Sequence, residues 1–281
     1  LTDPEAVPGV RPDCRVTPGS GWTLGAHRVL CGDSGNAEDV ARLLGGRVLE
    51  SVITSPPYNQ SLGSFADATG MHRETRWMDR FESAYPDTLP EDQYQQGQVD
   101  VLTLWWDQVR AGGTCFYNHK HRYRQRRPII PLDWLRRTPW VLRQELIWDQ
   151  QWGTAANANM FIPRDERVYW LEKEGGEPKW RGVGDNHSTI WTFGKAQDTD
   201  ESNADAAHVC PFPVELAIRA MERTSDPGDA VADPYGGSGT TLMAAEQIGR
   251  AAYVMEREPR YVQVILDRWE AFTGRRAEPW A

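Results

Sequence analysis

Asp233-Pro234-Tyr235-Gly236-Gly237-Ser238-Gly239-Thr240-Thr241 is the stretch that decides the fold. Asp229 to Ala232, just before it, reads as a short buried strand, and Thr240 to Ile248 reads as a helix that Gly249 stops. A second strand, Ala251 to Met255, then ends at Glu256. Strand, glycine loop, helix and strand stand in the order that a nucleoside pocket needs. Gly236, Gly237 and Gly239 permit positive φ and close approach to the main chain, and amides at a helix start can hold a carboxylate or phosphate. The usual dinucleotide fingerprint is not met, because Leu242 occupies its third glycine position, and no Gly-Lys-Ser/Thr is present for a phosphate loop. Glu256 is spaced to accept both hydroxyls of a ribose. Taken alone, the stretch also reads as a tight turn followed by a solvated acid.

Working outward, Leu49 to Thr54 reads as a buried strand that delivers Ser55-Pro56-Pro57-Tyr58 at its carboxyl end. Two prolines fix φ and turn the chain outward. Ser55 and the Pro56 carbonyl are then free as acceptors, with the Tyr58 ring nearby. Two acceptors and a ring suit the exocyclic amine of a flat base. The bland alternative is a rigid turn with a core tyrosine.

Further elements follow from periodicity. Trp22 to Cys31 resembles a hairpin around Gly25-Ala26, and Asn36 caps a helix through Leu44 that Gly45-Gly46 stops. Glu91 to Arg110 is helical, with Val99, Leu102, Trp106 and Val109 on one face. Gly112-Gly113 is expected to break it before a strand from Thr114 to Tyr117. A helix over Pro131–Arg137, strands over Leu142–Trp148 and Arg167–Leu171, and helices over Phe212–Thr224 and Tyr261–Phe272 complete the pattern. Strands alternating with helices imply an α/β fold, a mostly parallel twisted sheet with helices on both faces. Residues 1–21 read as an arm or linker and 22–281 as the main domain. Within it, 59–90 reads as a flexible binding loop and about 172–205 as an inserted recognition segment.

The 281 residues, 40% hydrophobic and 25% charged, describe an ordinary globular chain, and no apolar run suggests a membrane span. The four cysteines, Cys14, Cys31, Cys115 and Cys210, are scattered, which favours reduced thiols and gives no metal site. The formal charge of −9 argues against a chain that coats itself in nucleic acid. A local basic track nonetheless runs from His119 through Lys120, His121, Arg122, Arg124, Arg126 and Arg127 to Arg136, Arg137 and Arg143, with Asp133 the sole acid between Lys120 and Arg143. Interleaved Tyr and His favour a DNA-phosphate surface over a merely solvated loop.

As a set, these residues resemble the β class of S-adenosylmethionine-dependent DNA amino-methyltransferases, the N4-cytosine/N6-adenine type. In that class a (D/N/S)-PP-(Y/F/W) catalytic motif precedes a DPF-x-GSGTT cofactor motif. Here Ser55-Pro56-Pro57-Tyr58 precedes Asp233 to Thr241, with Tyr235 in place of Phe. Gly32-Asp33-Ser34 resembles the element whose acid lies near the cofactor adenine. His208 to Pro213, with Phe212 and Pro213, resembles the HP-x-x-FP segment near the methionine end. Trp148 to Lys173, with Arg164-Asp165-Glu166, resembles the W-x-K … R-H-E region beside the target base, with Gln150 replacing Lys and Asp165 replacing His. The resemblance covers about residues 22–272. It implies a circularly permuted Rossmann-like fold and a cofactor set of Asp33, Thr54, Phe212, Pro213, Asp233 to Thr241 and Glu256. It also implies methyl transfer by direct displacement onto a flipped base of DNA, with no metal. Ser at the first motif position is commoner among cytosine-N4 enzymes and Asp among adenine-N6 ones, so cytosine is expected and adenine is the alternative. RNA or protein methylation is disfavoured by motif order, and a non-catalytic DNA-binding relative by the intact Ser55, Tyr58, Gly237, Gly239 and Glu256. The resemblance further implies a restriction-modification setting in the cytoplasm of a bacterial or phage-infected cell. The arm resembles the linker that joins some phage-type methylases to a ParB-like domain. The recognition insert is short, so specificity is expected to draw on the 59–90 loop, the basic track or a second subunit in a homodimer.

Overall fold

The structure, a computed structural model, describes residues 3–9, 13–59, 89–125, 127–151, 153, 161–182, 187–193 and 212–280. Gly25, at φ 62°, turns β1 (Gly21–Leu24) back on β2 (His27–Cys31) as the sequence leads one to expect. α1 (Ala37–Leu44) begins where the Asn36 side chain accepts the Glu38 and Asp39 amides, and ends at left-handed Gly45. β3 (Leu49–Thr54) is buried along its length. α2 (Glu91–Gln108) leads without a loop into β4 (Val109–His119). A small ribbon of β5 (Arg122–Arg124) and β6 (Arg127–Ile129) follows, then the single turn α3 (Leu132–Leu135). β7 (Val141–Asp149), β8 (Asp165–Glu172) and β9 (Ile190–Thr192) extend the sheet. α4 (Val214–Thr224), β10 (Ala230–Asp233), α5 (Thr240–Ile248), β11 (Ala251–Glu256), α6 (Pro259–Thr273) and β12 (Glu278–Pro279) close the chain.

The main sheet has ten strands in the order β12-β1-β2-β11-β10-β3-β4-β8-β7-β9. From β2 to β4 every pairing is parallel, whereas β1, β12, β8 and β7 join antiparallel and β9 runs parallel to β7. β10 and β11 come late in the chain yet sit between β2 and β3. That is the permutation, and it makes the glycine loop and the Ser-Pro-Pro turn neighbours at one sheet edge.

Side chains alternate across the central strands. Ile53, Val231, Ala252 and Val254 pack against α4, α5 and α6, whereas Val52, Ala232, Tyr253 and Met255 pack against α1, α2 and α3. Both faces are therefore covered, as a parallel sheet requires. No helix among the described residues is long and apolar enough to cross a membrane. Cys14, Cys31 and Cys115 are free thiols, and Cys210 lies outside the described residues.

Two expectations are corrected. Gly112-Gly113 does not separate helix from strand: β4 runs through both. A Cβ on Gly112 would stand 2.5 Å from the Glu177 carbonyl oxygen, and one on Gly113 2.7 Å from that of Glu50. The glycines are there for close backbone contact, where the β3–β4 register shifts between Leu49 and Ser51. The helix expected over Pro131–Arg137 shrinks to one turn. Of the expected recognition segment, 183–186 and 194–205 lie outside the described residues. Its described part is tied to the main body: β9 extends the sheet, and Lys179 pairs with Glu50 (2.9 Å), Asp226 (3.2 Å) and Asp229 (2.5 Å). The described arm lies on the body too, with the Arg15 amide donating to Gln263 at 3.0 Å and Val16 in the core.

Gly112→Ala is expected to cost about 3 kcal/mol, from a left-handed φ and a backbone clash together. Gly46→Ala, also at positive φ but facing open space, is expected to cost about 1 kcal/mol. Urea denaturation of both variants checks the difference.

Candidate active site

Asp233 ends β10 and Thr54 ends its sheet neighbour β3. Asp233 is 1% exposed. Its Oδ1 accepts the Thr54 hydroxyl at 2.8 Å and the Tyr235 amide at 3.0 Å, and its Oδ2 accepts the Thr241 hydroxyl at 2.6 Å. Burial pushes this carboxyl up to about 6, against the pull of those three hydrogen bonds. One side chain thus fastens the strand that carries Ser55 to the loop and helix that carry the glycines. Thr54 and Thr241, expected at the cofactor, turn their hydroxyls to Asp233, and none of the three is among the cavity-lining residues.

A cavity of about 350 Å³ opens beside this joint. Gly32, Asp33, Ser34 and Gly35 after β2 form one wall, joined to Glu256 by the Gly32 amide on its carbonyl at 3.0 Å, and Arg257, Pro234 and Tyr235 form a second. The third wall is one face of α2, Tyr94, Gly97, Gln98 and Val101, with Pro57 and Asn59 at the rim. Both Glu256 oxygens are aimed by backbone amides, from Gly237 at 2.8 Å and Glu258 at 2.7 Å. Gly236 cannot carry a side chain, because its Cβ would lie 2.3 Å from Val254. Gly237 and Gly239 are left-handed at φ 51° and 84°. The Ser238 carbonyl accepts from Arg268 behind the loop at 3.1 Å, and Thr240 begins α5 in the core. Phe212 and Pro213 stand at the start of α4, away from the cavity lining, and Glu5 of the arm accepts the Val214 amide at 2.8 Å. His208 lies outside the described residues.

Beyond Pro57 lies a polar cluster. Ser55 Oγ is 3.0 Å from the Tyr58 hydroxyl and donates to Asn118 Oδ1 at 3.1 Å. The Tyr58 hydroxyl is 2.9 Å from Asn118 Oδ1 and 2.8 Å from Glu166 Oε2. The Tyr94 hydroxyl donates to the Pro57 carbonyl at 2.8 Å and lies 2.8 Å from His119 Nε2. Asn59, at φ 53°, exchanges two side-chain hydrogen bonds with the Leu89 backbone at 2.9 and 2.8 Å. The rest of the 59–90 loop, apart from Pro90, lies outside the described residues. Asn118, Tyr94 and Gln98 were not singled out from sequence. The spacing 94, 97, 98, 101 is the signal that was present, since it marks one helix face.

The basic track divides. His119 is buried, and desolvation, reinforced by the Arg122 charge, drives its pKa well below the ordinary range, so it is neutral and not part of a phosphate-binding surface. The Tyr58 ring lies 4.5 Å from it. Arg122 is 7% exposed, paired with both Glu91 oxygens at 2.7 and 2.8 Å, and stacked 4.8 Å over Tyr94, so its guanidinium is committed inside. Arg124 and Arg127 face each other across the exposed β5–β6 ribbon with Tyr123, and Arg126 lies outside the described residues. The Lys120 ammonium sits 5.3 Å from the Tyr58 ring centroid.

A DNA methylase family model, that of the N6/N4 enzymes, matches residues 49–267. The chain belongs to this family, and is an S-adenosylmethionine-dependent DNA amino-methyltransferase. The type II methyltransferase M.ScaI of Streptomyces caespitosus is 22% identical over 84% of this chain and 80% of its own length. M.BglII of Bacillus subtilis is 23% identical over 77% and 62%. Among solved structures, the cytosine-N4-specific PvuII DNA methyltransferase matches with a TM-score of 0.68 at 18% identity, over 91% of this chain and 90% of that one. The Thermus thermophilus protein TTHA0409, complexed with S-adenosyl-L-methionine, matches at 0.59 with 24% identity, over 87% and 93%. These likenesses share the fold. The residues present also fit the cofactor: an acid whose two oxygens are aimed by amides, a turn in which Gly236 and Gly239 leave no room for a side chain, and a cavity lined by Tyr94 and Tyr235.

Because the folded Asp233 pKa is raised, the native state holds its proton more firmly than the unfolded chain. Its destabilising contribution is therefore largest above about pH 6 and fades as pH falls towards 4. Asp233→Asn keeps the Oδ1 acceptor and donates to Thr241 instead, removing this titration. Relative to the variant, the wild type is expected to gain about 2 kcal/mol between pH 7 and pH 4, read from denaturation midpoints across that range.

Proposed function

We propose that the base methylated is cytosine, at N4, in DNA. The observation that carries this reading is the character of the acceptor at the base site. Ser55 places a neutral hydroxyl oxygen, not a carboxylate, in the cluster next to the cavity rim at Pro57. The likeness to the cytosine-N4-specific PvuII enzyme supports the same choice.

The roles follow from position. Glu256 accepts the ribose hydroxyls, Asp33 lies towards the adenine, and Pro234, Tyr235 and the α2 face close around the ring. Gly236, Gly237, Ser238, Gly239 and Thr240, with Phe212 and Pro213, shape the end that takes the methionine. S-adenosylmethionine supplies an electrophilic methyl on a sulfonium. Ser55 and the Pro56 carbonyl accept hydrogens from the amine, fix its nitrogen, and favour the positive charge that develops there. The Tyr58 ring offers its face to the flipped base, and Lys120, on its long stem, moves from that ring towards phosphate. Tyr123, Arg124 and Arg127 on the ribbon meet the DNA backbone, and Arg126 belongs with them by sequence. Arg122 does not, since its charge is committed to Glu91.

Plasmid DNA incubated with the protein and labelled S-adenosylmethionine, then digested to nucleosides, is expected to yield N4-methylcytosine by mass spectrometry. N6-methyladenine would overturn the cytosine reading. Ser55→Ala and Tyr58→Ala are each expected to slow methylation about a hundredfold or more, and unimpaired methylation by both would overturn the site. Arg124→Ala with Arg127→Ala is expected to weaken DNA binding and flatten its dependence on log salt by about two. An unchanged slope removes the ribbon from the DNA surface.

A further inference from the structure

Four oxygens meet beside the Ser-Pro-Pro turn, and among the described residues their mutual contacts outnumber the hydrogens they bring. Ser55 and Tyr58 bring one hydroxyl hydrogen each, whereas the Asn118 carbonyl and the Glu166 carboxylate bring none. The hydrogens are shared among contacts of 3.0, 3.1, 2.9 and 2.8 Å. A carboxylate acceptor makes the stronger bond, so the Tyr58 hydrogen goes to Glu166. The Ser55 hydrogen is then shared between Asn118 Oδ1 at 3.1 Å and the Tyr58 oxygen at 3.0 Å. The orientation of the Asn118 amide is settled independently, because its Nδ2 donates to the Arg167 carbonyl at 3.1 Å and so leaves Oδ1 facing Ser55. Asn118 is 3% exposed, at the end of β4, and water does not easily take its place.

We propose that Asn118 is a positioning residue for methyl transfer: it draws the Ser55 hydrogen aside so that the Ser55 oxygen meets the target amine as an acceptor. Without Asn118 the hydroxyl keeps only the Tyr58 oxygen as a neighbouring acceptor, and its hydrogen turns more often towards the amine's own hydrogens, which is the wrong polarity. With it, the Ser55 oxygen keeps a lone pair for a hydrogen of the amine. The inference rests on the reading of Ser55 as the acceptor for the amine.

Single-turnover methylation, with the full chain, saturating S-adenosylmethionine and plasmid DNA, tests it. Asn118→Ala is expected to slow the transfer step on the order of tenfold, with the Kd for S-adenosylmethionine and the KM for DNA each within about twofold of wild type. Asn118→Asp, which keeps an acceptor at that point, is expected to recover most of the rate. In a Ser55→Ala background, Asn118→Ala is expected to cost nothing further. Equal losses in both backgrounds, a loss that falls on cofactor or DNA affinity, or an Asn118→Asp variant as slow as Asn118→Ala would each overturn the proposal. Where Ser55→Ala is too slow to read, the affinity split and the Asn118→Asp rate decide. A fully active Ser55→Ala variant would instead overturn the base-site reading on which the proposal stands.

Discussion

The buried carboxylate of Asp233 is the constraint on which the site depends. It gathers hydroxyl hydrogens from Thr54 on β3 and Thr241 on α5, and an amide from its own loop. Ligands in open α/β sheets bind outside the carboxyl ends of the strands, where connections diverge. The Asp233 joint sets the height of two such strand ends against each other. Ser55 therefore opens beside the same crevice as Tyr235 and Glu256, although more than half of the chain separates them. Burying a charge there has a cost, seen in the raised pKa, and hydrogen bonds from three directions offset it in part. A neutral pair of residues would join the strands more cheaply but would not gather three donors at one point.

The same economy of charge runs through the base site. The cluster beside the Ser-Pro-Pro turn is made of hydroxyl and amide oxygens, with the Glu166 carboxylate 2.8 Å from the Tyr58 hydroxyl. The cations of the surrounding track are held away from it or turned inwards. Arg122 is locked beneath Glu91 and two aromatic rings, where a single missing partner would leave a buried charge. Its confinement, with neutral His119, makes a rigid aromatic floor of Tyr58, Tyr94, Tyr117 and Trp134 under the turn. Exposed positive charge of the track stands on the ribbon, at Arg124 and Arg127, and at Arg136, Arg137 and Arg143. A chain of net charge −9 can therefore bind DNA through a local surface.

Features with local causes were legible in the chain. Asn36 and Gly45 delimit α1 by capping, Gly25 makes the first hairpin, and β3, α5 and β11 have the bounds that their apolar runs and glycines indicate. Errors came where distant backbone intervened. Gly112 and Gly113 look like a helix stop, yet they let Glu50 and Glu177 approach a continuous strand. Arg122 sits in a run of cations and looks solvated, yet Glu91, some thirty residues earlier, buries it. Asn118 carries no motif at all, and its place beside Ser55 exists only once β4 pairs with β3 and β8.

By itself the sequence determined the class of fold, the permuted order of the two motifs and the residue types each presents, because strand, turn and cap preferences act within a few residues. The tertiary structure decided which of those residues line the cavity. Thr54, Asp233 and Thr241 became a joint, Arg122 and His119 became packing, and Tyr94, Gln98 and Asn118 became walls and partners of the site. The physical reason is that burial and hydrogen-bond partnership are properties of neighbours in space. In this parallel sheet, the neighbours of β3 are β10, late in the chain, and β4, which lies beyond a long connection.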